Sequence, residues 1–168
     1  MTPRPASDRR LALEATELLV ADHREVQGLF DRYRRLADGD ADAAERTPLA
    51  EEICNLLTVH AAIEEEIFYP EARAAGVDAA LLDEAEVEHA AAKDLVAQLR
   101  DSDAGAALYD ARVKVLGEYV AHHVGEEERE LFAKCRASAM DLRAVGARLA
   151  ARKAELMGEM SEGMEVVG

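Results

Sequence analysis

One pattern occurs twice in this 168-residue chain, and it restricts the fold more than anything else in the sequence. His60 and Glu64 stand four residues apart in His60-Ala-Ala-Ile-Glu64-Glu-Glu-Ile-Phe-Tyr-Pro70. They interrupt an otherwise apolar helical row of Ile53, Leu56, Leu57, Ile63 and Ile67. Four residues carry a helix slightly past one turn, so the two side chains point the same way, ~6 Å apart at Cβ. Burying an ionised carboxylate without a partner costs on the order of several kcal/mol, so Glu64 demands a cation or a proton. The second copy is His122-His123-Val-Gly-Glu126-Glu127-Glu-Arg-Glu-Leu-Phe132-Ala133, which offers two pairings at the same spacing. Periodicity separates them. Val113, Leu116, Tyr119, Val120, Val124 and Leu131 form an apolar row around His123 and Glu127, whereas Glu118, His122, Gly125, Glu126 and Arg129 form a polar one. Laying Phe132-Ala133 on Tyr69-Pro70 also sets His123 on His60 and Glu127 on Glu64. His123 and Glu127 are therefore read as inward, and His122 as a surface residue.

Two such rows call for packed helices, and the composition agrees. Aromatics make up 4% and Trp is absent, while Ala, Leu, Val and Glu abound. The length suits one domain with a sizeable core. With 20 basic and 35 acidic residues the net charge is −15, which argues against nucleic acid or an anionic membrane as a partner. Cys54 and Cys135 belong to no CxxC motif and are read as small apolar fillers. The start, Met-Thr-Pro-Arg-Pro, is polar and no apolar run approaches ~18 residues, so the expected location is cytoplasmic.

Taken in order, residues 1–15 form an N-terminal arm and residues 16–137 a bundle. The first helix runs from about Thr16 to Leu36 with Leu19, His23, Val26, Phe30 and Tyr33 inward. Thr47 followed by Pro48 reads as an N-cap and first helical position, opening the helix that carries His60. Pro70 predicts a kink or stop before Gly76. Asp78 caps a third helix with Leu82, Ala85, His89, Ala92, Val96 and Leu99 inward, and a fourth spans about Ala106 to Cys135. A shorter fifth covers 141–157, with Leu142, Val145, Leu149 and Leu156 on one side, and 161–168 is read as a frayed tail. The fold class is all-α: an antiparallel up-down-up-down four-helix bundle with an additional C-terminal helix outside it or on a partner subunit.

Each long helix thus places one histidine inward (His23, His60, His89 and His123), and two of them add Glu64 and Glu127. Neutral imidazoles cannot balance two buried carboxylates, and the inward rows hold no Arg. Two cations bridged by the carboxylates would balance them; the bland alternative is a hydrogen-bonded polar core. Nitrogen and oxygen donors without thiolate suit Fe, Mn or Zn, and six donors leave two octahedral ions with open positions, which favours iron over a closed zinc site. A ferritin-like site needs two Glu-x-x-His pairs, and only Glu86-Val-Glu-His89 matches, since Val20, Leu57 and Val120 stand in the other places. A haem bundle leaves the glutamates unexplained.

The order His23, His60-x-x-x-Glu64, His89, His123-x-x-x-Glu127 resembles the hemerythrin-like, or HHE cation-binding, family over roughly residues 16–135. Ala-Asp-His-Arg-Glu-Val (21–26) and Glu-Glu-Glu-Ile-Phe-Tyr-Pro (64–70) are similar to it as well. The resemblance implies a diiron centre with an oxo, hydroxo or water bridge. His23 and His60 would serve one iron, His89 and His123 the other, and Glu64 and Glu127 would bridge. Oxygen-carrying hemerythrins have a further histidine one turn after the one matching His89, where this chain has Lys93. That departure implies a more open second iron and speaks against reversible oxygen carriage. Lys93 is read first as a solvated lysine, with approach to a bridging carboxylate as the other option. Tyr33, Tyr69 and Tyr119 are read first as core, with approach to the site as the other option. The expected function is binding or sensing of O2, NO or peroxide, or iron handling, by a monomer or small homo-oligomer that is not primarily an enzyme. The alternatives are a diiron enzyme turning over peroxide or NO, and a structural bundle holding zinc or another metal.

Overall fold

The computed structural model describes residues 12–166, and among them every regular element is helical. Helix α1 spans Ala15–Asp38, with the Glu14 side chain accepting from the Glu17 backbone N–H at its start. Helix α2 covers residues 43–74: Ala43–Ile63, a π-helical turn over Glu64–Phe68, and Tyr69–Ala74. Helix α3 is Ala79–Arg100, opened by Asp78, whose carboxylate accepts from the N–H groups of Ala80 and Leu81 as expected. Helix α4 covers 109–136: Tyr109–Glu126, a second π-helical turn over Glu127–Leu131, and Phe132–Arg136. Helix α5 is Leu142–Val166.

Each of the first four helices packs on its neighbour in the chain, and α1 also meets α4, closing the four-helix bundle. The additional helix lies outside, against α1 and α2, with Val145 and Leu149 buried. It runs on to Val166, well past the boundary expected near 157 and through most of the stretch read as frayed. The arm read over 1–15 falls outside the described residues except for its end, where Ala15 already belongs to α1.

Two local readings need correction. Helix α2 opens at Ala43, not after Thr47: Asp42 accepts from the Glu45 N–H and serves as the cap, so Pro48 sits inside the helix. The Thr47 hydroxyl accepts instead from the Ala104 N–H. The stop expected before Gly76 comes at Ala74, a turn beyond Pro70, because the wide turn before Pro70 has already interrupted the ladder that proline cannot join; Gly76 follows with φ +77°. Tyr119, read as inward, is 51% exposed.

Buried apolar side chains form two clusters. One holds Phe68, Tyr69, Leu82, Phe132, Val145 and Leu149, and the other Val26, Ile53, Cys54, Tyr109, Val113 and Leu116. The polar residues His23, Glu64, His89 and Glu127 are buried as well. Burial of a large aliphatic or aromatic side chain contributes roughly 1.5–3 kcal/mol, and these clusters hold the four helices in register around that polar layer.

Candidate metal centre

All six residues singled out by periodicity arrive at one place. His23 and His60 face each other with Nε2 atoms 3.1 Å apart, and His89 and His123 do so at 3.2 Å. Glu64 Oε1 lies 2.7 Å from His60 Nε2 and 3.6 Å from His89 Nε2, so it touches both pairs. Glu127 does the same, with Oε1 3.2 Å from His23 Nε2 and Oε2 3.1 Å from His123 Nε2. Two overlapping four-residue groups result, His23/His60/Glu64/Glu127 and Glu64/His89/His123/Glu127, each compact enough for one ion. His122 is not part of either; its side chain is 68% exposed and pairs with Glu126.

The outward nitrogens explain why the inward ones are bare. His23 Nδ1 lies 3.3 Å from Glu128, His60 Nδ1 3.1 Å from Asp22, His89 Nδ1 3.4 Å from Glu65 and His123 Nδ1 3.5 Å from Glu88. A carboxylate only accepts, so each Nδ1 carries the hydrogen, and a neutral ring then presents Nε2 as a lone pair. Four such lone pairs converge on the carboxylates. Glu64 Oε1 and Oε2 and Glu127 Oε1 are buried without a hydrogen-bond partner, and the short Glu64–His60 approach lies off the hydrogen-bond direction. Converging lone pairs repel unless a positive charge sits among them.

Left without a metal ion, the layer would draw protons instead. Burial would lower His60, but the charge of Glu64 and the hydrogen bond to Asp22 push it up to about 10. His123 rises to about 9 against the same burial, through Glu127 and Glu64. Burial would raise Glu127, yet its contacts with His123 and His23 hold it well below the usual carboxylate range. The layer attracts cations, and protons and metal ions compete for the same lone pairs.

Sequence periodicity missed the four outer acids, and core packing is half of the account of Tyr69. The Tyr69 hydroxyl donates to Glu127 Oε2 at 2.6 Å and stands 3.2 Å from His89 Nε2, so it belongs to the site as well as the core. Burial, then the charges of Glu127 and Glu64, keep its pKa well above the ordinary value. At 100° per residue a straight α-helix turns Tyr69 roughly 180° away from His60, and the π turn brings it back. Tyr33 instead donates to Asp110. Lys93 donates to Glu65 at 2.6 Å with 57% of its side chain exposed; it reaches an outer acid, not a bridging one. A sequence signal for the outer acids existed: Asp22 and Glu88 each precede a site histidine, and Glu65 and Glu128 each follow a site glutamate.

A cavity of about 660 Å³ leads from the surface to the layer between α2, α3 and α4. Its walls are mainly apolar, among them Leu57, Ala61, Ala92, Val96, Val120 and Val124, and all four site histidines line it.

Comparison with known proteins fits this geometry. Residues 14–135 match the model of the hemerythrin HHE cation binding domain. The fold is shared with the crystal structure of a hemerythrin HHE cation binding domain-containing protein from Mycobacterium kansasii, an Rv2633c homolog, at a TM-score of 0.75 and 24% identity. The similarity covers 91% of this chain and 93% of that one. No curated protein matches the chain. No described helix is long and apolar enough to cross a membrane. The matched stretch contains all six inward residues, and the chain belongs to the hemerythrin HHE cation-binding family.

Proposed function

We propose that this protein is a non-haem diiron protein that binds or senses a small ligand: O2, NO or peroxide. The observation that carries the reading is the convergence of four Nε2 lone pairs on buried carboxylate oxygens that have no hydrogen-bond partner. His23 and His60 would hold one ion, His89 and His123 the other, with Glu64 and Glu127 shared. Histidine and carboxylate donors without thiolate fit iron, and open coordination positions would give a small ligand somewhere to bind. The outer acids fix the imidazole tautomers and orientations, as second-sphere carboxylates do at histidine metal sites. Tyr69 holds the Glu127 carboxylate through its hydroxyl and places one O–H beside His89 and His123.

The cavity supports ligand traffic over a purely structural zinc site, which needs no approach from solvent. A second reading, in which peroxide or NO is consumed there, draws on the Tyr69 O–H, a proton donor beside His89 and His123. A spectrum separates the two. Iron-loaded ferric protein should absorb in the near ultraviolet, as a bridged pair does. A stable coloured adduct with azide or NO supports binding, and steady loss of added peroxide supports turnover. A loaded protein with neither response contradicts both.

A further inference from the structure

The family match ends at residue 135, so α5 lies wholly beyond it, yet this helix reaches the metal centre. Its docking is close. A Cβ on Gly146 would stand 2.5 Å from the Leu13 carbonyl oxygen and 2.8 Å from the Ala15 nitrogen, so α5 lies backbone against backbone on the start of α1. Arg148 pairs with Glu71 at 2.7 Å, and Arg152 with Glu66 at 2.8 Å inside the π turn that begins at Glu64. One turn along from Leu149, Lys153 donates to Asp22 Oδ1 at 2.6 Å, while Asp22 Oδ2 faces His60 Nδ1 at 3.1 Å. The Asp22 side chain is 11% exposed, so this carboxylate is held at both oxygens in a sheltered setting.

The related position in the other half of the site lacks the device. Glu88 precedes His89 as Asp22 precedes His23, and it faces His123 Nδ1 at 3.5 Å. No lysine or arginine among the described residues pairs with Glu88. Lys93 does pair with Glu65 behind His89, but at a largely exposed position where solvent weakens such a contact.

We propose that Lys153 is a positioning residue that fixes the His60 imidazole through Asp22. The ion of the His23/His60 half is then held more firmly than its neighbour, and its retention is coupled to docking of α5. Linkage makes the coupling mutual: a filled half-site also holds α5 down. The inference rests on the reading of the layer as a metal centre.

The test uses full-length, metal-loaded protein. Lys153 is 29% exposed at its side chain, so Lys153→Met leaves the packing of Val145 and Leu149 in place. Competition with a chelator should show the affinity for one of the two ions falling severalfold, short of the roughly 10–100-fold that follows loss of a ligand's direct outer partner such as Asp22. Lys153→Arg should restore it, and Lys93→Met should change retention less than Lys153→Met. Gly146→Ala, which forces α5 off α1 without removing a charge, should reproduce the Lys153→Met loss. Hydrogen exchange over 142–160 should quicken when wild-type protein is stripped of metal, and Lys153→Met should remove that response. Wild-type retention of both ions in Lys153→Met and Gly146→Ala, or exchange in α5 indifferent to metal, overturns the proposal alone. A wild-type chain that takes up no transition metal overturns the metal reading, and this proposal with it.

Discussion

Tyr69 and Phe132 occupy related places after the two π turns, and they break the two-fold likeness of the site. Phe132 stacks on His23 with planes 2° apart, offering no proton, whereas Tyr69 donates to Glu127. A buried hydrogen bond to a charged acceptor contributes about 1.5–3 kcal/mol, so Tyr69→Phe should lower stability by about that much. It should leave both ions bound and alter ligand binding, measured by denaturant unfolding and by titration of loaded protein with azide. The choice of His123 over His122 is tested in the same way. His123→Ala should lose metal and stability together, because Glu127 and Glu64 are then under-compensated, while His122→Ala should change neither. Periodicity read the inward histidines and glutamates because each interrupts an apolar row, a contrast that burial itself creates. Asp22, Glu65, Glu88 and Glu128 were not legible that way. They sit at the edge of the inward face, where an acid facing solvent and an acid facing an imidazole produce the same pattern.

At the level of the helices, both site glutamates open a π-helical turn. The widened turn rotates the chain beyond it, which carries Tyr69 into the site and lets Pro70 follow within the helix. Nothing in a 3.6-residue period announces such a turn, and this is why the sequence tied the stop before Gly76 to Pro70 alone. The start of α2 shows a different competition. Thr47-Pro48 has the form of a helix opening, but Asp42 caps the chain earlier, and Thr47 is occupied with Ala104. The start of α4 carries strain: Leu108 adopts φ +68° and ψ 0° while 67% exposed. A left-handed leucine costs roughly 1–2 kcal/mol, and asparagine tolerates that region better. Leu108→Asn should therefore raise stability by up to about 1 kcal/mol, seen as a higher Tm with metal content unchanged.

The whole molecule is a bundle whose apolar side chains cluster in two groups, with a layer of imidazoles and carboxylates that needs positive charge to persist. The four-helix architecture was legible because long amphipathic rows and short connections leave few alternatives. The seat of α5 was not, since its contacts with α1 and α2 depend on Gly146 and on ion pairs far apart in sequence. Most of the acids behind the net charge of −15 lie on the outer surface, but Glu64 and Glu127 stand in the centre and Asp22, Glu65, Glu88 and Glu128 face its imidazoles. Elemental analysis of purified full-length protein, beside a Glu64→Ala/Glu127→Ala variant, tests the central claim most directly. Two iron ions per wild-type chain and near-complete loss in the variant are predicted. A wild type without stoichiometric transition metal, or a variant loaded as fully as the wild type, contradicts it.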